Sequence, residues 1–310
     1  MVPKRGLTEA QKGHLAMLSF SALVAGSFSL GSMAAPFVDP AALTALRFMV
    51  AGALVGLAAL FTRRTAARAM AAPWRYLVLG GLLAAYFVLM FEGLKTADAV
   101  SASAVFTLTP LMAAVFGWLL LRQRLTRRMG LALALGAAGA VWVIFRADWQ
   151  ALLSFHINRG EVIYFWGCLA HAIYAPMVRK LNRGEPAVLF TFGMMVAGAG
   201  MLTLWSLPAL LATDWRALPG IVWVTLFYVS VFASAVTFVL LQYATLRLPA
   251  AKVMAYTYLT PSWVILWELA LRRDGPPAAV LGGVGLTMLA LWLLLEEPRE
   301  MSANPRLPSG

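Results

Sequence analysis

Charge is scarce in this chain. Thirteen acidic and 25 basic residues make up 12% of 310 positions, about half the share carried by soluble domains, which excludes a water-soluble globular fold. Cysteine is nearly absent: Cys168 is the only one and lies in an apolar stretch, so an intrachain disulfide is excluded. Histidine is almost as rare. His14, His156 and His171 stand far apart with no metal-ligand spacing, and no HExxH, G-x-S-x-G or phosphate-binding loop occurs. These absences take a metal site, a cofactor and an intramembrane enzyme out of the reading. The small-residue run Gly26, Ser27, Ser29, Gly31, Ser32 has no Gly-Lys-Ser/Thr ending and serves close helix approach instead.

What the chain does have is apolar length. Hydrophobic residues make up 61% of it and the mean hydropathy is +0.79. Apolar stretches recur near residues 14–35, 40–61, 76–94, 98–121, 129–145, 162–178, 187–211, 219–243, 250–271 and 277–295, each about long enough to cross roughly 30 Å of hydrocarbon. They are apolar all round, as helices with lipid or protein on every side must be. The first follows Lys4 and Arg5 like a signal peptide, but exceeds the 7–15 residues of a signal core, so it reads as a retained helix. The expected fold is therefore an all-α polytopic membrane protein with ten transmembrane helices.

The net charge of +12 fits loop topology rather than nucleic acid. With the N-terminus inside, 18 basic residues fall on the cytoplasmic side: Lys4, Arg5, Lys12, Arg63, Arg64, Arg68, Arg75, Arg122, Arg124, Arg127, Arg128, Arg179, Lys180, Arg183, Arg247, Lys252, Arg299 and Arg306. Six fall opposite, namely Lys95, Arg146, Arg159, Arg216, Arg272 and Arg273, and Arg47 lies within a span. The positive-inside rule then places both termini in the cytoplasm of a bacterial-type inner membrane.

The chain also repeats itself. Met49-Val50-Ala51-Gly52-Ala53 recurs as Met195-Val196-Ala197-Gly198-Ala199, 146 positions later. At the same offset Asp39-Pro40-Ala41 meets Glu185-Pro186-Ala187, and Leu43 meets Leu189. Leu108-Thr109-Pro110 returns as Leu259-Thr260-Pro261 at an offset of 151. The two halves are residues 1–146 and 147–297, followed by a disordered polar tail at 298–310. Five spans per half insert the halves in opposite senses, and inverted repeats are the architecture of many secondary transporters, with the substrate near the midplane where the halves meet.

The sequence resembles the EamA-type family of the drug/metabolite transporter superfamily. The resemblance is carried by Asp39-Pro40 with Ala45-Leu46-Arg47-Phe48, by Gly93-Leu94-Lys95-Thr96-Ala97-Asp98-Ala99 leading to Thr109-Pro110, and by Tyr243-Ala244-Thr245-Leu246-Arg247-Leu248-Pro249-Ala250-Ala251-Lys252 leading to Tyr258-Leu259-Thr260-Pro261. It covers about residues 14–295. It implies ten helices and outward movement of amino acids or other small metabolites, and the aromatic-rich spans are similar to those of YddG-like aromatic amino acid exporters. Where the family usually has Gly-Glu after the fourth span, this chain has Arg122-Gln123, so no carboxylate role is expected there.

A transport site needs polar or aromatic groups facing a central cavity. Tyr86 and Met90 share one face of the third span, and Ser103 and Thr107 one face of the fourth. The offset of 151 maps the latter pair onto Met254 and Tyr258, with Tyr243 nearby on the eighth span; Trp166, His171 and Tyr174 come from the sixth. These ten are the expected substrate-binding residues, read against packing or interfacial-belt roles for the same rings. His171 is either a proton-coupling group or a neutral histidine bonded between helices. Arg47, Pro110 and Pro261 are expected as structural anchor and paired hinges. Glu92 and Glu268 near span ends carry a proton or sit beside Lys95 or Arg272. The expected partners are the lipid bilayer and a small neutral, partly apolar molecule, handled by a monomer; nucleosides, nucleotide-sugars, cationic drugs, or a channel or assembly role are the alternatives.

Overall fold

Backbone groups in hydrocarbon must satisfy one another, which leaves helices as the answer for a chain of this composition. The computed structural model describes residues 7–61, 72–123, 126–153, 157–273 and 276–295. Lys4, Arg5, Arg63, Arg64, Arg68, Arg124, His156, Arg299, Arg306 and the whole 298–310 tail lie outside the described residues. Among those described, every regular element is helical.

The first half opens with α1 (Glu9–Ala34), α2 (Pro40–Leu60) and α3 (Trp74–Gly93). Thr8 and Gln11 form a reciprocal cap on α1: the Thr8 hydroxyl accepts from the Gln11 amide at 3.2 Å, and the Gln11 side chain accepts from the Thr8 amide at 2.9 Å. Asp39 caps α2 by accepting from the Ala42 amide at 2.9 Å, with Pro40 at the first helical position, where its missing N–H costs nothing. The fourth span is broken into α4 (Ala99–Phe106) and α5 (Thr109–Leu121), and α6 (Arg127–Ile144) completes the half. Arg122 closes α5 in a left-handed conformation, φ 53°, a backbone position that glycine takes more readily.

After short α7 (Trp149–Leu153), the second half runs α8 (Arg159–Leu181), α9 (Ala187–Ala212) and α10 (Gly220–Ser230). A π-helical turn at Val231–Val236 joins α10 to α11 (Thr237–Thr245) within one span. The ninth span is broken like the fourth: α12 (Ala250–Ala255), a 3-10 turn at Tyr256–Leu259, then α13 (Thr260–Ala270). Helix α14 (Val280–Leu295) is last. Eight of these runs, the broken fourth span among them, are long and apolar enough to cross a membrane; the split ninth span and the shorter α14 complete ten. The chain is an all-α polytopic membrane protein.

Packing interlocks the halves. Helix α2 lies on α9, α6 on α14, α5 on α12, α3 on α8, and α1 against α10 and α11. Each pair joins one half to the other. Small residues set the spacing. A Cβ on Gly80 of α3 would stand 2.7 Å from backbone atoms of Gly198 and Met194 on α9. One on Gly26 of α1 would meet the Tyr228 hydroxyl at 2.5 Å, and that hydroxyl donates to the Leu23 carbonyl. Some interior hydroxyls bond within their own helices, as Thr44 does to the Pro40 carbonyl at 2.6 Å. The outer surface is apolar: Leu204, Trp205 and Leu211 of α9 are about 80% exposed, which only lipid makes favourable.

A buried ion pair staples the two halves. Arg75, a basic loop residue by sequence, is buried at the start of α3 and donates to the Glu185 carboxylate and to the Leu181 carbonyl, both at 2.7 Å. The Arg183 amide donates to the second Glu185 oxygen at 2.6 Å. Burial alone would raise the Glu185 carboxyl, but the Arg75 guanidinium and these amide donors hold it below its ordinary value.

Candidate functional site

Several spans bring a polar or aromatic side chain to one point at the seam of the halves. Phe20, Val24 and Ser27 come from α1, Arg47 from α2, and Tyr86, Phe87 and Met90 from α3. The second half adds His171 from α8, Ala233 from the π turn, and Thr237 and Phe238 from α11. The enclosed space is small, about 10 Å³, near the minimum for one water. Helical spacing explains the grouping: Tyr86 and Met90 are one turn apart, as are Phe20, Val24 and Ser27.

Rings dominate this pocket. His171 stacks on Tyr86 at 4.4 Å between centroids, and the Tyr174 ring lies parallel to it at 6.0 Å. Neither ring nitrogen of His171 has a hydrogen-bond partner, so the interhelical bond expected for a neutral histidine is not made. Arg47 is fully buried, with its guanidinium carbon 3.5 Å from the centre of the Phe87 ring. Tyr174 donates to the Met194 sulfur and accepts from the Gln242 amide, both at 3.0 Å.

A second, wider cavity of about 530 Å³ opens at the basic-poor end of the bundle. Ser32, Thr96, Asp98, Ser101, Arg146, Glu268 and Arg273 are among its walls. Asp98 pairs with Arg146, and Glu268 with Arg273 at 3.5 Å. A layer of rings separates it from the central pocket. Phe28 lies 5.9 Å from both Phe106 and Tyr164, and Phe106 lies 5.4 Å from His171. Tyr164 shares a 3.1 Å hydrogen bond with Tyr86.

The expected site residues divide between this centre and other places. Tyr86, Met90 and His171 line the pocket, and Tyr174 stacks beneath it. Ser103 and Thr107 are buried with their hydroxyls donating to the Val100 and Ala104 carbonyls at the break in the fourth span. Met254 is buried in the main core. Tyr258 turns away, its ring against Gly136 of α6, where a Cβ would stand 2.2 Å from the ring. Tyr243 lies at the basic-rich end under the Arg247 guanidinium, its hydroxyl donating to Glu9 at 3.3 Å. Trp166 is 58% exposed on the outside of α8, since five helical positions carry it about 140° from His171. Pro110 and Pro261 each open the second segment of a broken span.

The profile of the EamA-like transporter family matches residues 11–145 and again 158–296. The chain belongs to the EamA-like transporter family. An uncharacterized transporter of Bacillus subtilis (strain 168), YyaM, is 24% identical over 285 residues, 91% of this chain and 92% of that protein. An uncharacterized transporter of Archaeoglobus fulgidus is 24% identical over 286 residues, 91% of this chain and 96% of the other. A solved structure titled only as the crystal structure of a protein has the same fold, with a TM-score of 0.69 and 22% identity over 93% of this chain and 96% of that one. The chain is thus a transporter and not an enzyme.

Some features of this EamA transporter were invisible as sequence. The π turn gives no composition signal, yet it faces Arg47 with the Ala233 carbonyl and the Ser234 hydroxyl. Phe20, Phe87 and Phe238 look like any lipid-facing phenylalanine until the fold turns them inward. Glu92 pairs with Lys95 at 2.7 Å on the surface. Glu268 is buried beside Arg273, where Arg272 was the expected neighbour. Glu161, at the edge of a span, is buried and accepts from the Ser101 hydroxyl at 2.8 Å.

Proposed function

We propose that this transporter exports small neutral, partly apolar metabolites, foremost amino acids with aromatic or other apolar side chains. In this reading it sits in a bacterial-type inner membrane with both termini in the cytoplasm. The two halves alternate access around the seam pocket. The observation that carries the proposal is the pocket itself: both halves line it, rings come from Phe20, Tyr86, Phe87, His171 and Phe238, and no carboxylate is among its walls. Ring faces hold an apolar side chain at about 0.5–1.5 kcal/mol per aromatic pair beyond area burial, and an ammonium over a ring adds about 0.5–2 kcal/mol. A cationic drug would call for an acid at this depth.

The central space is far below the roughly 300–1,000 Å³ of a ligand-bearing pocket, so the structure corresponds to a closed centre, with the cavity at the basic-poor end above the ring layer. Substrate entry then requires the rings to part. His171 contributes a ring face and two free nitrogens; a facilitator needs no titrating group, so His171→Gln is expected to lower affinity without abolishing transport. Loss of all transport in a folded His171→Gln protein would favour proton-coupled antiport. The direction is tested in cells: overproduction should raise tolerance to a toxic aromatic amino acid analogue, and membrane-inserted Thr237→Trp, which fills the pocket, should not. Equal tolerance with and without the transporter sinks the export reading.

A further inference from the structure

Arg47 differs from every other buried cation in this fold. Arg75 is as deeply buried, but Glu185 balances its charge at 2.7 Å. The described ion pairs include none to Arg47. Its Nε donates to the Ser234 hydroxyl at 2.5 Å and one Nη to the Ala233 carbonyl at 2.6 Å. These partners are neutral; they satisfy donors and leave the charge uncancelled. The other terminal nitrogen, Nη1, has no partner and the residue walls the central pocket.

A cation inside a membrane protein pairs, snorkels or faces a cavity. Full burial excludes snorkelling, and among the described residues no carboxylate pairs with the guanidinium. The repeat adds a second argument. At the offset of 146 that relates α2 to α9, the partner of Arg47 is Gly193. The repeat fold is therefore built once with this cation and once without it, so the charge is no requirement of the architecture.

We propose that Arg47 is the binding group for a carboxylate on the transported molecule. In the loaded carrier a carboxylate oxygen accepts from Nη1, and the apolar body lies against Tyr86, Phe87 and His171. A guanidinium matches a carboxylate in geometry as well as charge. A phosphate ester would call for a second cation, and no other Lys or Arg lines the pocket. The π turn fits this role: it supplies the carbonyl and hydroxyl that hold the guanidinium in place while one edge stays free, and such turns recur at functional sites. The proposal rests on the carrier reading above and narrows its substrate class.

The test measures equilibrium binding to purified wild-type protein with four probes: phenylalanine, phenylalaninamide, phenethylamine and 3-phenylpropionate. The carboxylate-bearing probes should bind at least about tenfold tighter than the amide and the amine. Arg47→Gln should bring the acid-to-amide ratio to about one, and Arg47→Lys should leave an intermediate ratio. An unchanged ratio in folded Arg47→Gln overturns the proposal. Equal binding of acid and amide by wild type, or no binding of either carboxylate, overturns it without any variant, so a misfolded Arg47→Gln does not shield it. Phenylalanine transport without acid preference sinks the subsite and leaves the carrier standing. Tight binding of 3-phenylpropionate over phenethylamine, with no binding of phenylalanine or its amide, keeps the subsite and sinks the amino-acid reading.

Discussion

A single side chain's surroundings in this protein follow from its place in the sequence only where helix geometry decides them. Tyr86, Met90 and His171 meet because turn spacing aligns the first two and the sixth span packs on the third. Tyr258 was placed at the same centre by the repeat offset, but Gly136 leaves room for its ring on the opposite side, and no local signal announces that. Glu185 shows the same limit: among the basic residues of its loop it reads as an exception, and only the fold reveals Arg75 against it. The pair makes a definite prediction. Because the folded carboxyl is held below its ordinary value, its stabilisation is complete above the usual glutamate range, about 4.3, and is lost as pH falls through the lowered value. Glu185→Gln should destabilise the protein by about 1.5–3 kcal/mol at neutral pH, seen as earlier thermal unfolding. The gap from wild type should close in acid. A gap that persists unchanged at low pH would mean the pair does not act through its charge.

At the scale of elements, the ten spans were legible because each carries its own hydropathy, while the breaks inside them were legible only through proline. Pro110 and Pro261 open second segments at equivalent places in the two halves, where the lost N–H falls in a first turn and costs little. The π turn has no comparable marker. The paired breaks are suited to bending both halves in step, and a hinge acts on the conformational step rather than on recognition. Pro110→Ala and Pro261→Ala should therefore change turnover by a similar factor for every substrate, leaving relative affinities within about twofold. Substrate-selective changes in affinity would instead place these residues in recognition. The contact of α3 with α9 gives a stability counterpart. Gly80→Leu forces a side chain into the Gly198 backbone and should cost at least about 1–3 kcal/mol, measured as loss of folded protein on heating.

For the whole molecule, the two-half plan emerged from three short matches and an odd number of spans, and the interlocked packing of α2 with α9 and α6 with α14 follows it. Orientation rests on the 18-to-6 split of basic residues. Reporter fusions after residues 70, 125, 181, 248 and 300 should report cytoplasm, and those after 37, 96, 155, 214 and 274 the other side; two or more reversals contradict that topology. The substrate was less legible than the fold, because ring-lined and lipid-facing phenylalanines are indistinguishable as letters. Counterflow is the measurement that bears most directly on the account. Proteoliposomes of purified protein, preloaded with unlabelled phenylalanine, should transiently accumulate labelled phenylalanine to a saturable overshoot that Thr237→Trp abolishes. No overshoot for any apolar amino acid with folded wild-type protein, or an overshoot untouched by Thr237→Trp, would contradict a carrier working through the seam pocket.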